Sequence, residues 1–225
     1  MEPSLPGHTA AVVSCHLERP LDDEAWERFS RLQERRPGGF AIAALIRPPH
    51  EGEEKGLWLE RARQAAARGP LGHHTHWTSP THARPTGGDP SARVREEADW
   101  MREQGLAATL FCGGGWYMDE QVAETIAELG YTDCTARGLA PCRVQLSSGA
   151  VLDELPTTHS LGRLARGALG PLDGYVHAYF HDYDLLDGRR RAALWTSLRL
   201  LGMRRPAGAF EADGPLIPFS RAFGR

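Results

Sequence analysis

Short, continuous apolar runs alternate with amphipathic stretches along most of the chain. The first run, Ala10-Ala11-Val12-Val13-Ser14-Cys15, is rich in β-branched residues and unbroken by charge, the pattern of a parallel strand buried on both faces. It ends at His16-Leu17-Glu18-Arg19-Pro20. Asp22-Asp23-Glu24 then opens a helix with Trp26, Phe29 and Leu32 on one face, closed by Pro37-Gly38-Gly39. Residues 40–46 form a second strand that stops at Arg47-Pro48-Pro49. Residues 50–56 read as a loop and 57–68 as a helix ended by Gly69. A third, short strand over 71–74 runs into a histidine-rich loop. Asp89 is the N-cap and Pro90 the first residue of the next helix, which carries Val94, Ala98 and Met101 on one face and ends at Gly105.

Residues 106–111 read as a fourth strand, Gly113-Gly114-Gly115 as a turn, 119–129 as a helix and 131–135 as a fifth strand. The pattern then changes: between 141 and 155, two alternating pieces around Ser147-Ser148-Gly149 predict an inserted hairpin. Thr158 or Ser160 caps a short helix to Gly167. A late strand over 175–180 enters His181-Asp182-Tyr183-Asp184, and 187–203 is a basic amphipathic helix. The tail with Pro215, Pro218 and Phe219 has no assignment. Such α/β alternation implies parallel strands with right-handed crossovers, either an incomplete (β/α) barrel or a doubly wound sheet. In both, the site lies at the carboxyl ends of the strands. There the chain puts His16 and Glu18, then Arg47, then His74 and His76, then the three glycines, then Thr135, and finally His181 and Asp182.

Length and charge bound this picture. The 225 residues suffice for a single domain over 1–225, one that buries roughly 70% of its unfolded surface. A formal charge of −3, from 26 basic and 29 acidic residues, gives no general electrostatic case for nucleic acid or an anionic membrane. Cys15, Cys112, Cys134 and Cys142 lack metal-ribbon spacing and read as thiols of a reducing compartment. The first residues have neither a basic nor an apolar targeting region, so a cytoplasmic location is expected. Oligomeric state has no signature here.

Four of the ten histidines fall within residues 73–82. Such a cluster is a metal site, an acid/base site or an unselected polar loop. His74 and His76, one residue apart on an extended segment, share a face. His82 can return from the loop, Glu18 is the carboxylate across the rim, and His73 is a bystander. His181-Asp182 reads as a general acid held by its carboxylate, as a pair supporting a metal ligand, or as a helix-start turn. Gly113-Gly114-Gly115 lacks the dinucleotide spacing; it brings the Gly114 backbone amide to an oxyanion or is a plain turn. Trp77, Trp116 and Tyr117 can stack on a sugar face, and Arg47 can face substrate from the end of strand two.

Leu71-Gly72-His73-His74-Thr75, the run 105–111 with Glu128-Leu129-Gly130-Tyr131 after it, and the late strand ending at His181 resemble the polysaccharide deacetylase family, carbohydrate esterase family 4 or the NodB-homology domain, over roughly residues 10–200. His-Leu-Glu-Arg-Pro from His16, His-Thr-His-Trp-Thr-Ser-Pro from His74, Gly-Gly-Gly-Trp-Tyr from Gly113 and Tyr-Phe-His-Asp from Tyr179 are similar to an actinobacterial, cytosolic subgroup. The resemblance implies a distorted, incomplete (β/α) barrel, a divalent metal, usually zinc, and removal of an acetyl group from a carbohydrate or sugar-containing metabolite by activated water. It carries His74 over as a metal ligand and His181 as the late-strand general acid. The chain departs from it elsewhere. His16 and Glu18 stand where paired aspartates are expected, so either is the base. Thr78 stands where a second histidine is expected, so His76 or His82 substitutes. Cys112-Gly113-Gly114 replaces an arginine. A catalytically inactive glycan or nucleotide-sugar binding module on the same barrel is the alternative reading, and a metal-dependent isomerase or lyase a third.

Overall fold

The computed structural model describes residues 10–135, 138–167 and 174–223. Its strands are β1 (Ala11–Leu17), β2 (Ile42–Ile46), β3 (Leu71–Thr75), β4 (Leu110–Gly113), β5 (Thr132–Asp133), β6 (Cys142–Gln145), β7 (Val151–Glu154), β8 (His159–Ser160), β9 (Val176–His181) and β10 (Leu216–Pro218). The helices are α1 (Asp23–Arg35), α2 (Lys55–Ala66), α3 (Pro90–Glu103), α4 (Glu120–Glu128), α5 (Leu161–Gly167), α6 (Gly188–Arg204) and α7 (Phe219–Phe223). One sheet runs in the order β8-β9-β1-β2-β3-β4-β5-β7-β6-β10. Its neighbours are parallel except the β6–β7 hairpin, which is antiparallel. This is a distorted, incomplete (β/α) barrel with an inserted hairpin, as the alternating pattern and the resemblance imply.

The helix starts follow from the residues that precede them. Asp22, Asp89 and Asp119 accept hydrogen bonds from the amides of Ala25, Ala92 and Val122, and Asp187 accepts from Arg189 and Arg190. Each satisfies an orphan donor of the first turn, a contribution of about 1 kcal/mol. The apolar stripe of α1 is buried through Trp26, Phe29 and Leu32.

Period-two alternation sorts every strand residue to one of two layers. On β1, Val13, Cys15 and Leu17 join Phe29 and Leu32 of α1 and Leu194, Leu198 and Leu201 of α6 in the outer core. Val12 belongs to an inner core with Ala43, Leu45, Leu110, Cys112 and Tyr175. Ser14 and His16 share the parity of Val12, so they face the barrel interior. Register then brings chemistry together: His16 pairs with His181 across β1 and β9, and His74 with Cys112 across β3 and β4.

Some elements differ from the sequence reading. The fifth strand shrinks to Thr132–Asp133, and the two-residue β8 pairs with β9 at the sheet edge. The tail, unassigned from pattern, adds β10 in parallel to β6. That pairing is long-range, and a three-residue strand bounded by proline carries no periodicity to read. No described helix is long and apolar enough to cross a membrane.

Candidate metal centre

Three donors converge at the carboxyl ends of β1 and β3. The Glu18 Oε1 atom lies 3.8 Å from His76 Nε2 and 3.9 Å from His74 Nε2. It also lies 3.6 Å from His181 Nε2, at the end of β9. These separations exceed hydrogen-bond length. They approach the spacing of roughly 3.4 Å expected of atoms that share a cation at about 2.1 Å in tetrahedral array.

Local hydrogen bonds select the atoms that face the centre. His74 Nδ1 donates to the Cys112 carbonyl at 2.8 Å, and His76 Nδ1 donates to the Pro80 carbonyl at 3.0 Å. A carbonyl only accepts, so Nδ1 carries the proton in both neutral rings and Nε2 keeps its lone pair. Both Nε2 atoms are buried without a hydrogen-bond partner, as is His16 Nε2. Lone pairs buried in this way are costly unless something binds them. Among the described residues, Glu18, His74 and His76 each offer a donor atom within 4.8 Å of the others, and His16, His74 and Cys112 form a second such group. The donor chemistry, two imidazoles and a carboxylate, suits a divalent cation of the zinc type.

The electrostatics agree. Burial would raise the Glu18 carboxyl, but His74 and His76, with His181 behind them, hold it well below the usual carboxylate range. Burial lowers His74, with Glu18 opposing that shift. Burial, reinforced by His74 and His181, drives His16 well below its ordinary value, so its imidazole is neutral. His16 sits in an aromatic box: its ring centroid lies 4.8 Å from His74, 5.0 Å from His181, 5.4 Å from Trp116 and 5.5 Å from Tyr179.

Parity separates the two histidines of β3. His73 points the opposite way to His74 and is fully buried against α3, with Nε2 2.8 Å from Glu97 Oε2 and 2.9 Å from Thr75 Oγ1. His76, just beyond the strand, returns to the side of His74.

Other expected site residues land elsewhere. His82 is exposed at the tip of a tight turn closed by Ser79 and His82 backbone hydrogen bonds, and it does not join the cluster. Of the two candidates for the second imidazole, His76 is the one brought to Glu18. Trp77 is 6% exposed, packs on Tyr117 and donates its Nε1 hydrogen to the Gly114 carbonyl at 3.3 Å, so it has no face for a sugar. Tyr117 is committed to that packing and donates its hydroxyl to Asp119 at 2.6 Å. Trp116 alone of these aromatics reaches the His16 box. At Gly114 the loop passes close to β3: a Cβ there would stand 2.4 Å from the Thr75 carbonyl oxygen, so only glycine fits. Arg47 fastens the rim from below, donating to the Glu18 carbonyl at 3.1 Å and forming a two-pronged pair with Glu53 at 2.7 and 2.8 Å.

Asp182 does not orient His181. It is folded back onto the Arg19 and Tyr183 amides at 2.6 and 2.8 Å, which ties the β9 rim to the β1 rim. Burial raises its carboxyl to about 6 despite the Arg19 amide, with Glu18 adding to the rise. The partner of His181 is Asp184, whose Oδ2 lies 3.7 Å from His181 Nδ1 and accepts the His181 amide at 2.9 Å. Tyr183 stacks on the other face of the His181 ring at 4.7 Å. Asp184 and Tyr179 were missed as site residues; the signal for Asp184 was its position three after His181, the spacing of a capping turn.

No family model matches the chain, and no curated protein matches it in sequence. Solved structures match it in fold. A 4-alpha-glucanotransferase from Thermococcus litoralis superposes with a TM-score of 0.56 at 12% identity, over 96% of this chain and 40% of its own. This chain therefore spans well under half of that enzyme. A putative polysaccharide deacetylase involved in O-antigen biosynthesis from Bordetella bronchiseptica gives 0.53 at 15% identity, over 90% and 87% of the two chains. A family 4 carbohydrate esterase from Streptomyces lividans, in complex with acetate, gives 0.53 at 12% identity, over 93% and 100%. These likenesses establish the fold that the chain shares with both the deacetylase and the esterase.

Proposed function

We propose that this protein is a metal-dependent hydrolase that removes an acetyl group, as amide or ester, from a carbohydrate or a sugar-containing metabolite. The observation that carries the reading is the convergence of Glu18 with the unpartnered Nε2 atoms of His74 and His76, beside His181. Fold likeness to a carbohydrate esterase and a polysaccharide deacetylase supports the substrate class. Glu18, His74 and His76 would hold the cation, with zinc the best match to imidazole and carboxylate donors. A divalent cation at such a site polarises an acyl carbonyl and lowers the pKa of water toward neutrality.

The remaining roles belong to the chain. His16, neutral and unpartnered at Nε2, takes the proton from the attacking water as its oxygen bonds to the acyl carbon. When the C–N or C–O bond breaks, His181 gives its Nε2 proton to the leaving nitrogen or oxygen. Asp184, whose carboxylate accepts the His181 amide at 2.9 Å and lies 3.7 Å from Nδ1, fixes the turn that carries that ring and sets a negative charge beside it. Acetate and the free amine or alcohol leave, and the two imidazoles exchange their protons with solvent. Trp116 and Tyr179 wall the reaction space. The free, buried thiols of Cys15, Cys112 and Cys134 accord with a cytoplasmic setting.

Acetate release from a panel of N- and O-acetylated sugars, measured with and without added zinc, tests the reading. Zinc-dependent release that His181→Ala lowers by about a hundredfold or more is expected of a lost general acid. Sugar binding with no acetate release by zinc-loaded protein would instead mark a binding module and overturn it.

A further inference from the structure

A cavity of about 440 Å³ opens beside the centre, on the side of His181 away from β3. Its walls come from the start of α5, the end of β9 and the first turns of α6. Leu161, Ala165, Phe180 and Ala193 supply apolar wall, and Ser160, His181, Asp184, Arg189 and Arg190 line it as well. The volume lies within the ~300–1,000 Å³ typical of small-molecule sites. Hydroxyls of a sugar ring turned toward the Leu161, Ala165, Phe180 and Ala193 wall would lack partners, at a cost of roughly 1–3 kcal/mol each. An apolar group would not.

The mouth of the same cavity is cationic. Arg189, Arg190 and Arg191 are consecutive in the first turn of α6, at the positive end of the helix dipole. Cations there are disfavoured by roughly 0.3–1 kcal/mol each. Arg190 is offset by Asp184 at 2.6 Å, and Arg191 donates to the Leu185 carbonyl at 2.5 Å. Arg189 is exposed, lines the cavity and forms no ion pair among the described residues. An apolar pocket with Arg189 at its lip, interacting with the exposed Asp187 but forming no ion pair among the described residues, is complementary to an amphiphilic anion.

We infer that this cavity is a subsite for an apolar group bearing a phosphate or carboxylate, carried on the leaving-group side of the substrate. The inference rests on the hydrolytic reading only for that last placement, since His181 protonates the leaving group. The substrate is then an acetylated sugar conjugated to an apolar group that bears a phosphate or carboxylate, rather than an unadorned glycan.

The test uses octyl phosphate, octyl β-glucoside and inorganic phosphate, titrated calorimetrically into chelator-treated protein so that no cation draws the phosphate. Octyl phosphate is expected to bind wild type and Glu18→Gln alike. Ala165→Trp, which fills the cavity, weakens it by about tenfold or more, the equivalent of 1.4 kcal/mol. Arg189→Glu weakens octyl phosphate by about fivefold and leaves octyl β-glucoside unchanged, the size of an exposed charge contact. Inorganic phosphate binds far more weakly than either octyl ligand. An octyl phosphate affinity that neither Ala165→Trp nor Arg189→Glu changes would overturn the proposal, and Arg189→Glu decides alone should the tryptophan variant not fold. So would absence of octyl phosphate binding while zinc-dependent acetate release is intact. Octyl phosphate binding that responds to both substitutions, in a protein that releases no acetate, would leave the cavity assigned and remove only the hydrolytic reading.

Discussion

Replacing His177 with glutamine removes a buried titratable group from the barrel interior and leaves a side chain able to hydrogen bond. His177 is fully buried, with Nε2 2.8 Å from Ser14 Oγ and Nδ1 3.0 Å from the Leu155 carbonyl. Burial lowers its pKa from 6.5 to about 4, although the Leu155 carbonyl opposes the shift. The unfolded chain therefore binds a proton near pH 6.5 that the folded chain refuses until about pH 4. Stability from this group is complete above the unfolded value and is lost as pH falls through that window. Full loss amounts to about 3 kcal/mol, and at pH 4.5 the two values give about 2.5 kcal/mol. With a urea slope of about 2 kcal/mol per molar, the wild-type midpoint should fall about 1 M further than that of His177→Gln between about pH 7.5 and about pH 4.5. Chelator in both samples keeps metal linkage out of the comparison. Equal midpoint losses in the two proteins would refute the assignment of His177 as a neutral, desolvated group on the inner face.

Three further substitutions probe the site. Gly114→Ala places a methyl 2.4 Å from the Thr75 carbonyl oxygen; a loss of about 1–3 kcal/mol in urea unfolding is expected, with weaker zinc binding as the histidine loop shifts. Asp184→Asn should lower the rate of acetate release by about 10–100-fold with little change in KM. It should also move the pH profile on the side of the general acid, which a purely structural effect would not do. His82→Ala should leave both stability and zinc affinity unchanged within about 0.5 kcal/mol, because His82 is exposed and away from Glu18.

Much of the architecture was legible because its cause is local. Asp22, Asp89, Asp119 and Asp187 precede the helices that they cap, and the apolar runs 10–15 and 40–46 hold the strands that they suggest. The choice of His74 over His73 follows from the period of a strand, since adjacent residues face opposite layers. Convergence of Glu18, His74, His76 and His181 follows from the rule that parallel sheets gather their strand ends. Features that depend on loop geometry were hidden. Whether His76 or His82 turns to Glu18 depends on the turn at Ser79, and no spacing rule fixes that. The exchange of Asp182 for Asp184 beside His181 depends on a 3₁₀ turn over Asp182–Leu185, where residue three returns toward the strand end. Trp77, an aromatic beside the histidine cluster, looked like a sugar platform but packs on Tyr117 and is almost fully buried. The β6–β10 pairing joins segments some seventy residues apart, a contact that no local window contains.

The most direct test of the central claim is the zinc content and affinity of chelator-treated protein, read by titration against elemental analysis, for wild type, Glu18→Gln, His74→Ala and His76→Ala. Wild type should bind about one equivalent, and each substitution should weaken binding by at least about a hundredfold, since a ligand is lost outright. Wild type holding less than about a tenth of an equivalent, or binding that survives His74→Ala undiminished, would contradict the account.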